Sequence, residues 1–242
     1  MCTLTYIPTS ETGFILTSNR DELHTRPTAA PPEWHDYKGR SLFFSRDPEA
    51  GGTWLGHHRN GRILCLLNGA FQLHEHRPPY RMSRGLVVLE GLVAESRQHF
   101  VSHFDFAGIE PFTLVWLEGG ERPTMQELRW DEKRLYVSEV DTETSHIWSS
   151  ATLYNAEVRQ KREQWFADWL AGQDDTSAQR HALDFHRNAG KKGASEEAVC
   201  MRHEKGGTVS ITSLEKRNER LHYFHHNLRN DKKTIKGWSL VE

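Results

Sequence analysis

No run of about 18 apolar residues occurs in the chain, so the sequence offers no helix long and apolar enough to span a bilayer. The amino terminus also lacks a basic stretch followed by an apolar one, the pattern of a secretory signal. Cysteine is scarce. Cys2, Cys65 and Cys200 are odd in number and widely spaced, which argues against a disulfide framework, and none stands in a zinc-type pair. A reducing, cytoplasmic setting is therefore expected. Neither sign of charge is in excess: 31 Lys and Arg against 33 Asp and Glu leave −2, which gives no electrostatic footprint for nucleic acid or an anionic membrane. Repeats, low-complexity stretches and clear linkers are missing too, so residues 1–242 are expected to form a single domain.

Polarity and histidine are what the chain has in quantity. Hydrophobic residues make up only 36%, which implies a strongly polar surface around the core. The 15 histidines include His57-His58, His74-x-His76 and His225-His226. They are expected on solvated loops and strand edges, because a structural metal site needs about four ligands in fixed geometry. No metal and no cofactor are expected on that reading.

Periodicity places strands at both ends of the chain and helices between them. Residues 2–7 alternate polar and apolar, and residues 14–19 form a second strand, so the two read as a hairpin. Extended segments follow at residues 43–45, 53–56 and 62–67, the last two joined by an Asn60-Gly61 turn. Ser83 reads as the cap of a helix through Val93. Strands are expected at 112–117, 125–130, 134–140 and 146–150, then a helix at 155–170 with Val158, Trp165, Phe166, Trp169 and Leu170 at helical spacing. Helical turns are expected at 181–185 and 196–199, then a hairpin of 208–214 with 221–226, ahead of a basic tail. Antiparallel hairpins with segregated helices make an α+β class. Two such sheets with helices outside would give a four-layer αββα sandwich.

The first hairpin carries the candidate chemistry. With its turn centred on Ser10, opposed residues sum to 20, so Cys2, Leu4, Tyr6, Phe14, Leu16, Ser18 and Arg20 share one face. Cys2 and Arg20 then meet at the open end, with Asp21 and Glu22 just beyond the strand. Removal of Met1 would leave Cys2 with a free α-amine of pKa ~7.7–8.0, a base suited to accepting the thiol proton near neutrality. Arg20 would favour the thiolate, and Asp21 could orient the α-ammonium or Arg20. Cys65, inside an apolar strand, reads as an inert buried thiol, and Cys200 has no obvious activating partner. A frayed terminus beside a solvated Asn19-Arg20-Asp21-Glu22 turn is the plainer alternative.

Several motifs then occur in a telling order: Met1-Cys2, residues 17–22 (TSNRDE) followed by Arg26-Pro27, residues 51–56 (GGTWLG), Leu67-Asn68 and Ser83-Arg84-Gly85. Together they resemble the NRDE family, also called the Transport and Golgi organization protein 2 family, over roughly the first 90 residues. Thr208 to Thr212 resembles that family's late strand. The family in turn looks related to N-terminal nucleophile (Ntn) hydrolases of the penicillin acylase and bile-salt hydrolase kind. By that resemblance Cys2 would be the nucleophile, Arg20 and Asp21 would orient substrate and amine, and Asn68 would donate to an oxyanion. Asn19, Glu22 and Trp54 would border the substrate. A later asparagine would be expected near the strand before the long helix. Ser149-Ser150 stand there instead, with Asn155 further on, so Ser150 and Asn155 are the candidates for that role.

Two functions follow. One is hydrolysis of an amide or other acyl bond of a small-molecule substrate. The other is a non-catalytic carrier for haem or a lipid-like ligand on the same fold, with haem as its cofactor or cargo.

Overall fold

The alternating patterns resolve into thirteen strands and four helices in a computed structural model that describes residues 3–9, 12–120, 122–173 and 178–240. The first half of the chain contains β1 (Thr3–Pro8), β2 (Phe14–Leu23), β3 (Glu33–Tyr37), β4 (Arg40–Phe44), β5 (Leu55–His58), β6 (Ile63–Asn68), α1 (Arg84–Val93) and α2 (Arg97–His103). Then come β7 (Phe112–Glu118), β8 (Thr124–Trp130), β9 (Leu135–Val140), β10 (His146–Ser149), α3 (Ala156–Ala171) and α4 (Ala178–Asn188). The chain closes with β11 (Gly206–Arg217), β12 (Arg220–Asn227) and β13 (Lys232–Ser239). Among the described residues no helix is long and apolar enough to cross a membrane.

Two compact units divide these elements. One takes the described residues up to Arg26 together with Thr142–Ser239; the other takes Pro27–Asp141. The first holds an antiparallel sheet in the order β10-β1-β2-β11-β12-β13, with α4 on β2 and β11 and α3 on β10. Its helix-side core joins Ile7 and Ile15 to Phe166, Phe185 and Val199. The spacing of Trp165, Phe166 and Trp169 on α3 thus serves packing, and Phe166 and Trp169 both meet the Phe185 ring. The second unit is a seven-stranded antiparallel meander in sequence order, β3 to β9, with α1 and α2 inserted between β6 and β7. Its core gathers Phe44, Leu64, Leu92, Phe100, Trp116 and Leu128. The class is α+β with two antiparallel sheets, as the sequence predicts.

In the second unit, two of the sequence motifs explain one another. Ser83 caps α1 by accepting from Gly85 N. Gly85 O in turn accepts from Thr53 N. The backbones approach so closely that a Cβ on Gly52 would lie 2.3 Å from the Gly85 carbonyl carbon. The paired glycines of residues 51–56 and the glycine after Arg84 therefore make one contact that side chains would block. Trp54 is buried beside it.

Several expectations need correction. Residues opposed across β1 and β2 sum to 22, with Leu4 facing Ser18, because the connection is longer than a turn centred on Ser10. The shift is by two, so each residue keeps its face. β2 also runs on to Leu23, which puts Arg20, Asp21 and Glu22 inside the strand rather than beyond it. Residues 196–199 are turns, not a helix. The basic tail forms β13, an edge strand whose lysines suit an unpaired rim. His57, His186 and His225 are buried, not solvated.

Candidate functional site

The candidate site of the first unit is built where β2 meets β11. Thr208 pairs with Asp21 and Ser210 with Arg20, so Val209 is an extra residue, a β-bulge in β11. Such bulges bend a strand and re-aim its side chains. Successive side chains on β2 alternate faces. Ser18 and Arg20 lie on the face that holds Leu4 and Leu16. Asn19 and Asp21 lie on the helix-bearing face.

Arg20 and Asp21 are each only 4% exposed. A buried carboxylate is costly unless its lone pairs are used, and those of Asp21 are. Its Oδ2 accepts from the Tyr154 hydroxyl at 2.8 Å, and its Oδ1 accepts from Thr208 Oγ1. Tyr154 is itself held in place by Arg162, whose guanidinium carbon lies 3.6 Å from its ring centroid. Arg162 is fully buried and donates to Thr3 Oγ1 and to the carbonyls of Glu197 and Ala198. The column Arg162, Tyr154, Asp21, Thr208 fixes one carboxylate in one orientation. Arg20 reaches Glu22 at 3.5 Å, and Glu22 also lies 3.6 Å from Arg26. The Arg20 charge also acts on His225, which accepts from or donates to Thr212 Oγ1 at 2.8 Å. Burial first, then His226 and Arg20, lower the His225 pKa to about 4.

The other expected residues fall in different places. Cys2 lies outside the described residues. Asn19 forms an internal clasp. Its Nδ2 donates to the carbonyls of His186 and Val199, and its Oδ1 meets His186 Nδ1 at 2.9 Å. His186 Nε2 bonds Thr5 Oγ1 in turn, and burial first, with Arg162 behind it, lowers the His186 pKa to about 3. Asn155 is exposed and caps α3 by accepting from Val158 N, a role that its position before the helical pattern explains. Ser150 is buried at the end of β10, and its carbonyl accepts from Tyr154 N. Trp54 and Asn68 belong to the other unit; Asn68 ends β6 opposite Phe112. Sequence reasoning missed Tyr154 and Arg162. Tyr154 reads as an ordinary residue ahead of a helix and Arg162 as an ordinary charged residue within it, and only Thr208 carries a signal, through the late-strand resemblance. Among the described residues no group of three or more His, Cys, Asp or Glu side chains is placed to hold a metal ion.

The family model described as Transport and Golgi organisation 2 matches residues 1–199. The chain belongs to this family. No curated protein matches it. Among solved structures it is similar to penicillin V acylase from Agrobacterium tumefaciens, at 10% identity and a TM-score of 0.60, over 97% of this chain and 85% of the acylase. It is similar as well to the N-acylethanolamine-hydrolyzing acid amidase ortholog of Caenorhabditis elegans, at 11% identity and a TM-score of 0.59, over 88% of this chain and 92% of that one. A variant of conjugated bile acid hydrolase from Clostridium perfringens gives 9% identity and a TM-score of 0.54, over 97% of this chain and 92% of the hydrolase. At such identities the likeness establishes the fold, that of the Ntn-hydrolase-like proteins anticipated above, and not the chemistry.

Proposed function

We propose that this member of the family is an N-terminal nucleophile hydrolase that cleaves an amide or other acyl bond of a small molecule, with Cys2 as nucleophile. The observation that carries this reading is the buried pair Arg20 and Asp21 on β2, one and two residues past the point where Asn19 faces Thr3 at the start of β1. A carboxylate held by Tyr154 and Thr208 near the start of β1 is suited to receive an α-ammonium group.

The chemistry needs only the groups of the chain and water. Once Met1 is removed, the Cys2 α-amine takes the thiol proton and the thiolate attacks the substrate carbonyl. A C–S bond forms while the carbonyl π pair moves to oxygen. Collapse of this intermediate breaks the C–N bond, and the leaving amine takes the proton from the α-ammonium group. Water then attacks the thioester and gives a proton to the α-amine; the C–S bond breaks, and the leaving thiolate takes that proton back as the acid is released. Arg20 would stabilise the thiolate, and Asp21 would keep the amine in place.

Intact mass and turnover test the reading together. The purified protein is expected to lack Met1, to gain an acyl adduct on Cys2 with a fluorogenic N-acyl amide, and to lose both adduct and turnover as Cys2→Ala. Retained Met1 in active protein, or turnover unchanged in Cys2→Ala, would overturn it. Saturable haemin or lipid binding without turnover would favour the carrier instead.

A further inference from the structure

The helix-bearing face of the first unit holds a cavity of about 550 Å³ between the end of α4, residues 200–203 and the bulged part of β11. That volume is within the range of small-ligand sites. Its walls are of two kinds. Met201, Val209, Ile211 and Leu228 make an apolar part. Arg187, Lys191, Arg202 and Arg229 bring four positive charges to the same space, and among the described residues no Asp or Glu lines it.

Among the described residues none of the four side chains forms an ion pair. Lys191 donates to Asn188 Oδ1, Arg229 donates to the carbonyls of Leu23 and Arg26, and Arg187 lies 5.9 Å from the Phe224 ring centroid. Each contact orients its cation and leaves the charge intact. Four like charges around one concave surface repel one another, and the potential there attracts an anion. Cys200 lines the cavity too, but burial and then the nearby Asp21 carboxylate raise its pKa, so it stays a neutral thiol.

The geometry points to a ligand site here for a small organic anion, with a carboxylate or phosphate against Arg187, Lys191, Arg202 and Arg229 and an apolar body against Val209, Ile211, Leu228 and Met201. Two of its lining residues reach the Asp21 carboxylate of the proposed chemistry: Thr208, whose hydroxyl holds it, and Cys200, on which its charge acts.

Titration calorimetry on the full chain at low salt tests this, independently of any hydrolysis, with four probes: 1-naphthyl phosphate, 1-naphthoate, 1-naphthol and inorganic phosphate. At least one naphthyl anion is expected to bind one per chain, at least about tenfold tighter than naphthol and than inorganic phosphate. Added salt should weaken it. The double substitution Lys191→Glu with Arg202→Glu, at two exposed positions, is expected to lower affinity at least about tenfold while leaving the melting temperature unchanged. Naphthol binding as tightly as the anions would overturn the role of charge. Inorganic phosphate binding as tightly would overturn the role of the apolar wall. No heat with either anion up to ~1 mM, or affinity unchanged by the double substitution, would overturn the site.

Discussion

Three neutral histidines locked inside the fold should make the protein lose stability on mild acidification. His57, His186 and His225 are between 0% and 4% exposed. Burial is the largest cause in each case, and it lowers their pKa values from 6.5 to about 4, about 3 and about 4. Neighbouring guanidinium groups add to it: Arg59 for His57, Arg162 for His186 and Arg20 for His225. Below pH 6.5 the unfolded chain therefore binds protons that the fold refuses. Stability is fully present above that pH, and it falls as pH drops toward the folded values of about 4 and about 3. Each shift unit is about 1.4 kcal/mol, so going from about pH 7.5 to about pH 5.5 removes roughly 1.3 kcal/mol per histidine, or about 4 kcal/mol for the three. That window lies above most carboxylate titration, which isolates the histidines. Urea unfolding at both pH values, followed by tryptophan fluorescence, measures the difference. His225→Gln should flatten the dependence by about a third, because an amide keeps a partner for Thr212 and does not titrate. A stability equal at the two pH values to within about 1 kcal/mol, or one that rises on acidification, would refute the argument.

Further expectations concern packing and reactivity. Gly52→Ala places a methyl against the Gly85 backbone, which cannot rotate away as a side chain could, and should cost about 1–3 kcal/mol in a denaturant melt. Asn19→Leu leaves the carbonyls of His186 and Val199 and the His186 ring nitrogen without their partner, at about 1–3 kcal/mol each; an unchanged melt would count against the clasp. Near neutral pH, iodoacetamide should modify Cys65 and Cys200 slowly, the first because it is fully buried and the second because its pKa is raised; peptide mass spectrometry would report it, and rapid labelling of either would contradict the burial argument.

What the sequence determined by itself was local and periodic. Alternation over residues 3–7 and 14–19 specified a hairpin, and parity survived a register shift of two because side chains repeat every two residues. Ser83 and the aromatic spacing of α3 marked helices for the same reason, since a cap and a 3.6-residue stripe are contained within a few turns. Motif order was legible too, and it carried the family. What only the tertiary structure decided was which polar side chains face inward and whom they meet. By resemblance Asn19 reads as a residue bordering the substrate; its bonds to His186, which α4 brings from far along the chain, appear only in the fold. Asn155 looked like a site residue and proved to be a cap. Tyr154 and Arg162 became the support of Asp21 because β10, α3 and residues 197–198 converge there. Hydrogen bonds and cation–π contacts depend on distances between atoms, and across such separations in sequence those distances are set by packing, which no local pattern of residues encodes.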